Sequence, residues 1–330
     1  MLRFIGLRLL NAIPTLIAIS IVAFFIIQLP PGDFLTTQMQ ALEAQGETVD
    51  PAFVEALRQR YGIGEPFWVQ YGKWITGVVF FGDFGLSFQY QRPVADLIME
   101  RLPLTLVLGV ATLLVTWLIA LPAGIYAAIK QRKAADYVIS GVGFVALATP
   151  NFLAALLLAF VGFHFFGQSV GGLFSPEYVD APWSLAKVGD LLAHLWIPVA
   201  VLALAGTAGI IRTMRANLLD ELHKPYVTTA RAKGLKERTV IGRYPVRISL
   251  NPFVSTAGWH LPQLFDGEVI IAVVLSLGTV GPLLLGALKS QDMYLAGGII
   301  LIVAVLTVIG TLLSDILLAL VDPRVRFGKA

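Results

Sequence analysis

The chain has 330 residues, of which 57% are hydrophobic types and only 14% charged, and it carries a net charge of +3. Soluble domains hold about 25% charged and about 45–50% apolar residues, so this composition excludes an ordinary soluble enzyme and a disordered chain alike. There is no cysteine, which excludes disulfides, thiol nucleophiles and zinc–thiolate sites.

A helix needs about 20 mostly apolar residues to cross a bilayer. Six segments meet or approach that requirement: 9–29, 103–129, 137–166, 194–211, 252–277 and 295–320. The fourth is the shortest, and the fifth carries two carboxylates. The first run ends in Pro30-Pro31-Gly32-Asp33 rather than a small-x-small cleavage site, so it reads as an uncleaved span. Residues 30–102 form a long, net acidic outer segment. Within it, 54–62 and 94–101 have helical apolar spacing, and Gly62, Gly64, Gly82 and Gly85 punctuate it. Short helices lying on the outer surface are expected there. The organisation is then 1–29 as entry and first span, 30–102 as outer segment, and 103–330 as transmembrane core.

Lysine and arginine in short loops set orientation. The N-terminus has Arg3 and Arg8, and the loop after the second span has Lys130, Arg132 and Lys133. The loop after the fourth span is the densest, and the C-terminus has Arg324, Arg326 and Lys329. These four segments hold 17 of the 24 basic residues. The alternation predicts cytoplasmic termini and an even number of spans. It also accounts for the basic pI without nucleic acid.

Catalytic signatures are missing. No G-x-x-x-x-G-K-[ST] phosphate loop, H-E-x-x-H pair or G-x-S-x-G elbow occurs. His164, His194, His223 and His260 are scattered and read as structural. No cofactor, metal or catalytic residue is expected on this chain.

The loop 213–250 is the most informative stretch. Pro225 can open a helix, since the first turn does not need its missing N–H. There follow Tyr226, Val227, Thr228, Thr229, Ala230, Arg231, Ala232, Lys233, Gly234 and Leu235. Thr229, Ala230 and Ala232 are small enough to admit another surface. Gly234 can end the helix in a left-handed conformation. Residues 236–248 then read as a second helix returning to the membrane. Such a part can plug into a soluble partner and pass its movement to the spans. The alternative is a basic juxtamembrane segment that sets topology or touches anionic membrane lipid.

Residues 226–234, YVTTARAKG, resemble the coupling motif of ATP-binding-cassette (ABC) importer permeases. The surroundings are similar to the dipeptide/oligopeptide subfamily. So are 2–14 (LRFIGLRLLNAIP), 31–33 (PGD), 68–71 (WVQY), 82–88 (GDFGLSF), 92–94 (RPV), 100–105 (ERLPLT), 149–152 (TPNF) and 320–326 (LVDPRVR). The chain departs from the pattern at Thr228-Thr229-Ala230, where the general motif begins Glu-Ala-Ala. It departs again at 272–282, which lacks the glutamate and F-x-x-P-G-L-G-like turn common in the subfamily. The resemblance implies an all-α integral membrane protein with the type I ABC importer permease fold and six transmembrane helices. It implies a bacterial or archaeal cytoplasmic membrane and, as partners, a second permease subunit, two ABC ATPase subunits and an extracytoplasmic solute-binding protein. The implied solute is an oligopeptide or dipeptide, with an oligosaccharide as the alternative. Coupling to the ATPase would fall to Tyr226, Thr229, Ala230, Arg231, Ala232, Lys233, Gly234 and Leu235.

Three residues are candidates for the translocation pathway. Pro150, inside the third predicted span, should kink it. Asp266 lies 14 residues beyond Pro252, roughly 21 Å along a helix, and Glu268 follows. A carboxylate facing lipid costs about 2.5–3.5 kcal/mol or more, so Asp266 or Glu268 should face the bundle interior. A local break at Pro262 and Gly267 would instead bring both near solvent. An ion-coupled secondary transporter, with these two carboxylates carrying protons, is the rival function. Gly206, Gly209, Gly297, Gly298 and Gly310 are expected where helices approach closely.

Overall fold

The computed structural model describes residues 2–28, 59, 64–87, 89–168 and 171–321, with the backbone alone at 2–5, 7, 258–268 and 319–321. Among the described residues the fold is a set of helices with one β-hairpin, each of whose strands has two residues. In chain order these are α1 (Leu2–Ile27), α2 (Phe67–Thr76), β1 (Leu86–Ser87), β2 (Arg92–Pro93) and α3 (Val94–Ile129). Then come α4 (Ala134–Ala148), α5 (Asn151–Phe166), α6 (Leu185–Leu222) and α7 (Pro225–Ala232). The last are α8 (Glu237–Arg243), α9 (Pro245–Ser249), α10 (Asn251–Val274), α11 (Val280–Lys289) and α12 (Met293–Val321).

Four helices are long and apolar enough to cross a membrane: Arg8–Ile27, Val94–Ile129, Leu185–Leu222 and Met293–Leu318. The pair α4 and α5 makes a fifth candidate, bent by 99° at its break. Large apolar side chains stand exposed along these helices, among them Leu118 at 75% and Phe165 at 70%. In water that would be unfavourable; in lipid it is the required surface.

Several boundaries differ from the sequence expectation. The third predicted span is two helices rather than one kinked one. Thr149 is extended (φ −79°, ψ 121°) and Pro150 (φ −59°, ψ 131°) caps the next helix, because a proline disfavours helical geometry in the residue before it. Residues 94–102, expected on the outer surface, are the first turns of the 36-residue α3. Residues 213–222, expected in the loop, belong to the 38-residue α6. The single returning helix expected over 236–248 is two, α8 and α9, because Pro245 starts a new helix after Tyr244. The expected helix at 54–62 lies outside the described residues, apart from Gln59.

The chain divides into two compact units, 2–103 with 280–308, and 104–279 with 309–330. In the first, Phe24, Trp74 and Leu301 form a core against Phe67 and Tyr71. Ser20 and the Tyr71 hydroxyl share a 2.8 Å hydrogen bond there. Asp292, fully buried, ties the hairpin down: it accepts from the Ser87 hydroxyl at 2.6 Å and the Gln89 amide at 3.1 Å. It also accepts from the Leu295 amide at 3.2 Å in the first turn of α12. Gly297 lets α1 come close, since a Cβ there would lie 2.4 Å from Ile27.

In the second unit, Leu108, Ala155, Val201 and Ile271 lie in one buried cluster drawn from α3, α5, α6 and α10. Another joins Ala128, Met214, Leu218 and Phe253. Gly124 is a close-approach point that the sequence reading passed over: a Cβ would meet Met214 at 2.8 Å and the Ile211 carbonyl at 2.9 Å. Gly209, by contrast, faces open space.

Candidate functional site: the α7 peg and its stem

Helix α6 has 38 residues, about 57 Å at 1.5 Å per residue. The hydrocarbon core of a bilayer is about 30 Å thick. The rod is therefore much longer than that core is thick, and its last turns form a stem. Only His223 and Lys224 separate it from α7.

The eight residues of α7 form a helix for local reasons. Lys224 is extended, and Pro225 occupies the first position, where a missing N–H costs nothing. At the other end the Lys233 amide donates to the Thr229 carbonyl at 3.1 Å and the Gly234 amide to the Arg231 carbonyl at 2.9 Å. Gly234 then takes φ +75° and stops the helix. An L-residue would fit the open space around Gly234 but would be strained by that backbone.

The peg has an inner and an outer face. Val227 (0% exposed), Ala230 (6%) and Val240 of α8 (0%) form a small core, with Tyr226 packed beside it. Burial of each valine contributes about 1.5–3 kcal/mol. Ala230 is therefore an inner-face residue; the expectation that it meets another surface is corrected. Thr228, Thr229, Arg231, Ala232, Lys233, Gly234 and Leu235 are exposed.

Two polar contacts fix the assembly. The Tyr226 hydroxyl donates to the Glu221 carboxylate at the end of the stem. Burial, and then this acceptor, push the tyrosine pKa far above its ordinary value, so the phenol stays protonated and keeps donating. Arg231 pairs with Glu237 at 2.7 Å, joining α7 to α8. The hydrogen bond from Arg231 holds the Glu237 carboxyl below its usual range. The sequence reading missed Glu221, Glu237, Val227 and Val240. The i, i+3 spacing of Val227 and Ala230 was the available signal for the inner face.

Of the three pathway candidates, Pro150 alone has a described side chain. Pro150 caps α5, and its neighbour Asn151 lines a cavity of about 480 Å³ in the 104–279 unit. Thr112, Thr116, Gly206, Thr213 and Thr256 line it as well. The Thr112 hydroxyl is buried with no hydrogen-bond partner among the described residues. Asp266 and Glu268 lie on α10, which is helical without a break through Pro262 and Gly267. Their side chains are outside the described residues. Among the described residues no group of three or more His, Asp or Glu side chains could hold a metal ion.

The comparisons with known proteins bear on both ends of the chain. Residues 120–327 match the family described as binding-protein-dependent transport system inner membrane component. Residues 1–109 match the N-terminal component of the same kind of transport system. The chain is 35% identical to the oligopeptide transport system permease protein AppB of Bacillus subtilis, covering 99% of this chain and 100% of the relative. It is 31% identical to a putative peptide permease of Brucella ovis, with 99% of each covered. It is 29% identical to the oligopeptide permease OppB of Escherichia coli, covering 99% of this chain and all of that protein. A match of this extent, on a mostly helical membrane chain with a peg after its longest described rod, leaves one assignment: the chain belongs to the family of inner membrane components of binding-protein-dependent transport systems.

Proposed function

We propose that this chain is the permease subunit of an ABC importer for oligopeptides. It forms half of a solute pathway and receives the ATPase stroke on α7. The observation that carries this reading is the peg itself. An eight-residue helix is stopped by Gly234, stapled by Tyr226–Glu221 to a rod that enters the membrane, and packed by Val227 on Val240. Thr228, Thr229 and Ala232 stand exposed on its outer face, beside the Arg231–Glu237 pair.

ATP hydrolysis belongs to separate subunits, two per complex, with a second permease and a solute-binding protein completing the importer. Movement of the ATPases on nucleotide binding displaces α7, and the stem passes that displacement to α6. Such a transition is a rigid-body switch between discrete states, and it requires ATP to favour one of them. The relatives named for oligopeptides favour a peptide over an oligosaccharide as solute, and they do not favour ion-coupled transport. Six spans follow if α10, with 24 residues, is counted with the five apolar candidates. Both termini then face the cytoplasm of a bacterial inner membrane, in keeping with the basic loops. Asp266 or Glu268 and the threonine-lined cavity next to Pro150 are the proposed pathway elements.

The test is Gly234→Leu in the reconstituted importer. The variant is expected to insert normally and to hydrolyse ATP with peptide uptake reduced at least tenfold. Uptake at the wild-type rate would overturn the coupling role.

A further inference from the structure

A second cavity of about 350 Å³ opens between α4 and α6 in the 104–279 unit. At one end Asp136, 4% exposed, binds Arg215 in a fork: Nε to Oδ1 at 2.7 Å and NH2 to Oδ2 at 2.8 Å. The Arg132 amide donates to the same carboxylate at 2.9 Å. That carboxylate is fully engaged. Arg212 lies three residues from Arg215 on the same face of α6, and its guanidinium sits 5.6 Å from the centroid of the Phe144 ring. Among the described residues it has no carboxylate partner.

A cation on a membrane helix normally faces an opposite charge, because desolvating it alone is costly. The ring face supplies only part of that compensation. The rest of the lining is graded. Tyr137 and Ser140 add hydroxyls near the arginines, while Gly143, Phe144, Ala208 and Ile211 make the other walls apolar. From Asp136 to Phe144 is eight residues, about 12 Å along the helix. The same helix shows Val138 (63% exposed), Val142 (63%) and Val145 (68%) outward, a surface suited to acyl chains.

We infer that this cavity binds one anionic phospholipid, its phosphate on Arg212 and the free N–H groups of Arg215, its first acyl carbons along Gly143 and Phe144. The inference goes beyond the peptide-import reading and rests only on these helices lying in a membrane. Free phosphate would satisfy the arginines but leave the apolar walls without an occupant. Basic pockets between membrane helices take anionic headgroups for the same electrostatic reason.

The experiment is native mass spectrometry of the full chain with its partner subunits, equilibrated with equal phosphatidylglycerol and phosphatidylcholine. One phosphatidylglycerol per chain is expected, retained at least about fivefold over phosphatidylcholine, the equivalent of roughly 1 kcal/mol for one cation. Arg212→Gln should abolish that preference. Ser140→Leu, which obstructs the cavity and leaves every charge in place, should lower retention of phosphatidylglycerol to a similar degree. Excess inorganic phosphate should not displace the lipid. Equal retention of the two lipids in the unmodified complex overturns the inference, as does undiminished preference in both variants. Displacement by inorganic phosphate would assign the site to the free ion. Loss of a partner subunit together with the lipid in Arg212→Gln would assign Arg212 to an acidic side chain of that subunit.

Discussion

Tyr226 and Glu221 carry most of what the peg needs from single side chains. The hydroxyl donates to a carboxylate on the stem, and burial keeps it protonated. Removing it as Tyr226→Phe leaves the carboxylate without its donor, a loss of about 1.5–3 kcal/mol for a hydrogen bond to a charged group. The expected result is ATP hydrolysis retained with uptake lowered several-fold, read as the ratio of peptide transported to ATP consumed. An unchanged ratio would mean that the staple is ornamental. The Arg231–Glu237 pair behaves differently, being about half exposed on both sides and open to screening by salt. Its carboxyl is held below the ordinary range by the Arg231 hydrogen bond. A depressed carboxyl contributes stability that is present above its unfolded value and is lost as pH falls through the folded one. The protection of amides 231–237, taken relative to their intrinsic exchange rates at each pH, should therefore hold near neutral pH and fall only below the usual carboxylate range, with Glu237→Gln less protected throughout.

At the scale of elements, the small α7–α8 core is the weak point. Val240→Ala should cost roughly 1.5–3 kcal/mol locally. The readout is faster protease cleavage between α7 and α8 in intact membranes while the spans stay protected. Asp292 is the matching point in the 2–103 and 280–308 unit. Asp292→Ala leaves the buried Leu295 amide and the buried Ser87 hydroxyl without their acceptor, at about 1–3 kcal/mol for each group. Thermal unfolding of the purified chain should shift down clearly, and less for Asp292→Asn, whose carbonyl can still accept.

These elements also show what could be seen in advance. Pro225 and Gly234 bracket α7 by local backbone rules, so the helix was readable from residue type alone. Its inner face was signalled by nothing beyond the i, i+3 spacing of Val227 and Ala230, because Val240, which packs against them, lies ten or more residues away. The start of α3 was misplaced for a related reason. Asp96, Glu100 and Arg101 made 94–101 look like a surface helix, but the helix runs on past Pro103, whose missing N–H removes one bond of the ladder without ending it. The break at Pro150 was located correctly and its size underestimated. A proline permits either a kink or a full turn, and the packing that chooses between them is not local. The cavity beside Asn151 could not be read from spacing, since its threonines come from three separate helices.

For the whole molecule, the membrane topology and the pathway are the properties to test. The absence of cysteine makes the chain a ready background for single-cysteine labelling. Lys133→Cys should react with an impermeant thiol reagent only from the cytoplasmic side, and Asp180→Cys only from the outside. The reverse result, or labelling of both from one side, would refute the six-span arrangement. In the 480 Å³ cavity, Thr112→Val removes a buried hydroxyl that has no partner among the described residues and keeps the side-chain shape. Protein level should be unchanged or raised. If the hydroxyl meets the solute, the KM for peptide should rise while coupling to ATP hydrolysis stays intact.

The central claim concerns motion passed from a nucleotide-driven partner through α7 to α6. A cysteine in place of Thr229, on the exposed face of the peg, can be joined by a short reversible cross-linker to a cysteine on the ATPase. Efficient linkage is expected in both the nucleotide-free and ATP-bound complexes, with uptake restored when the link is cut. Continued peptide uptake by complexes in which Thr229→Cys never reaches the ATPase at any stage would contradict the account.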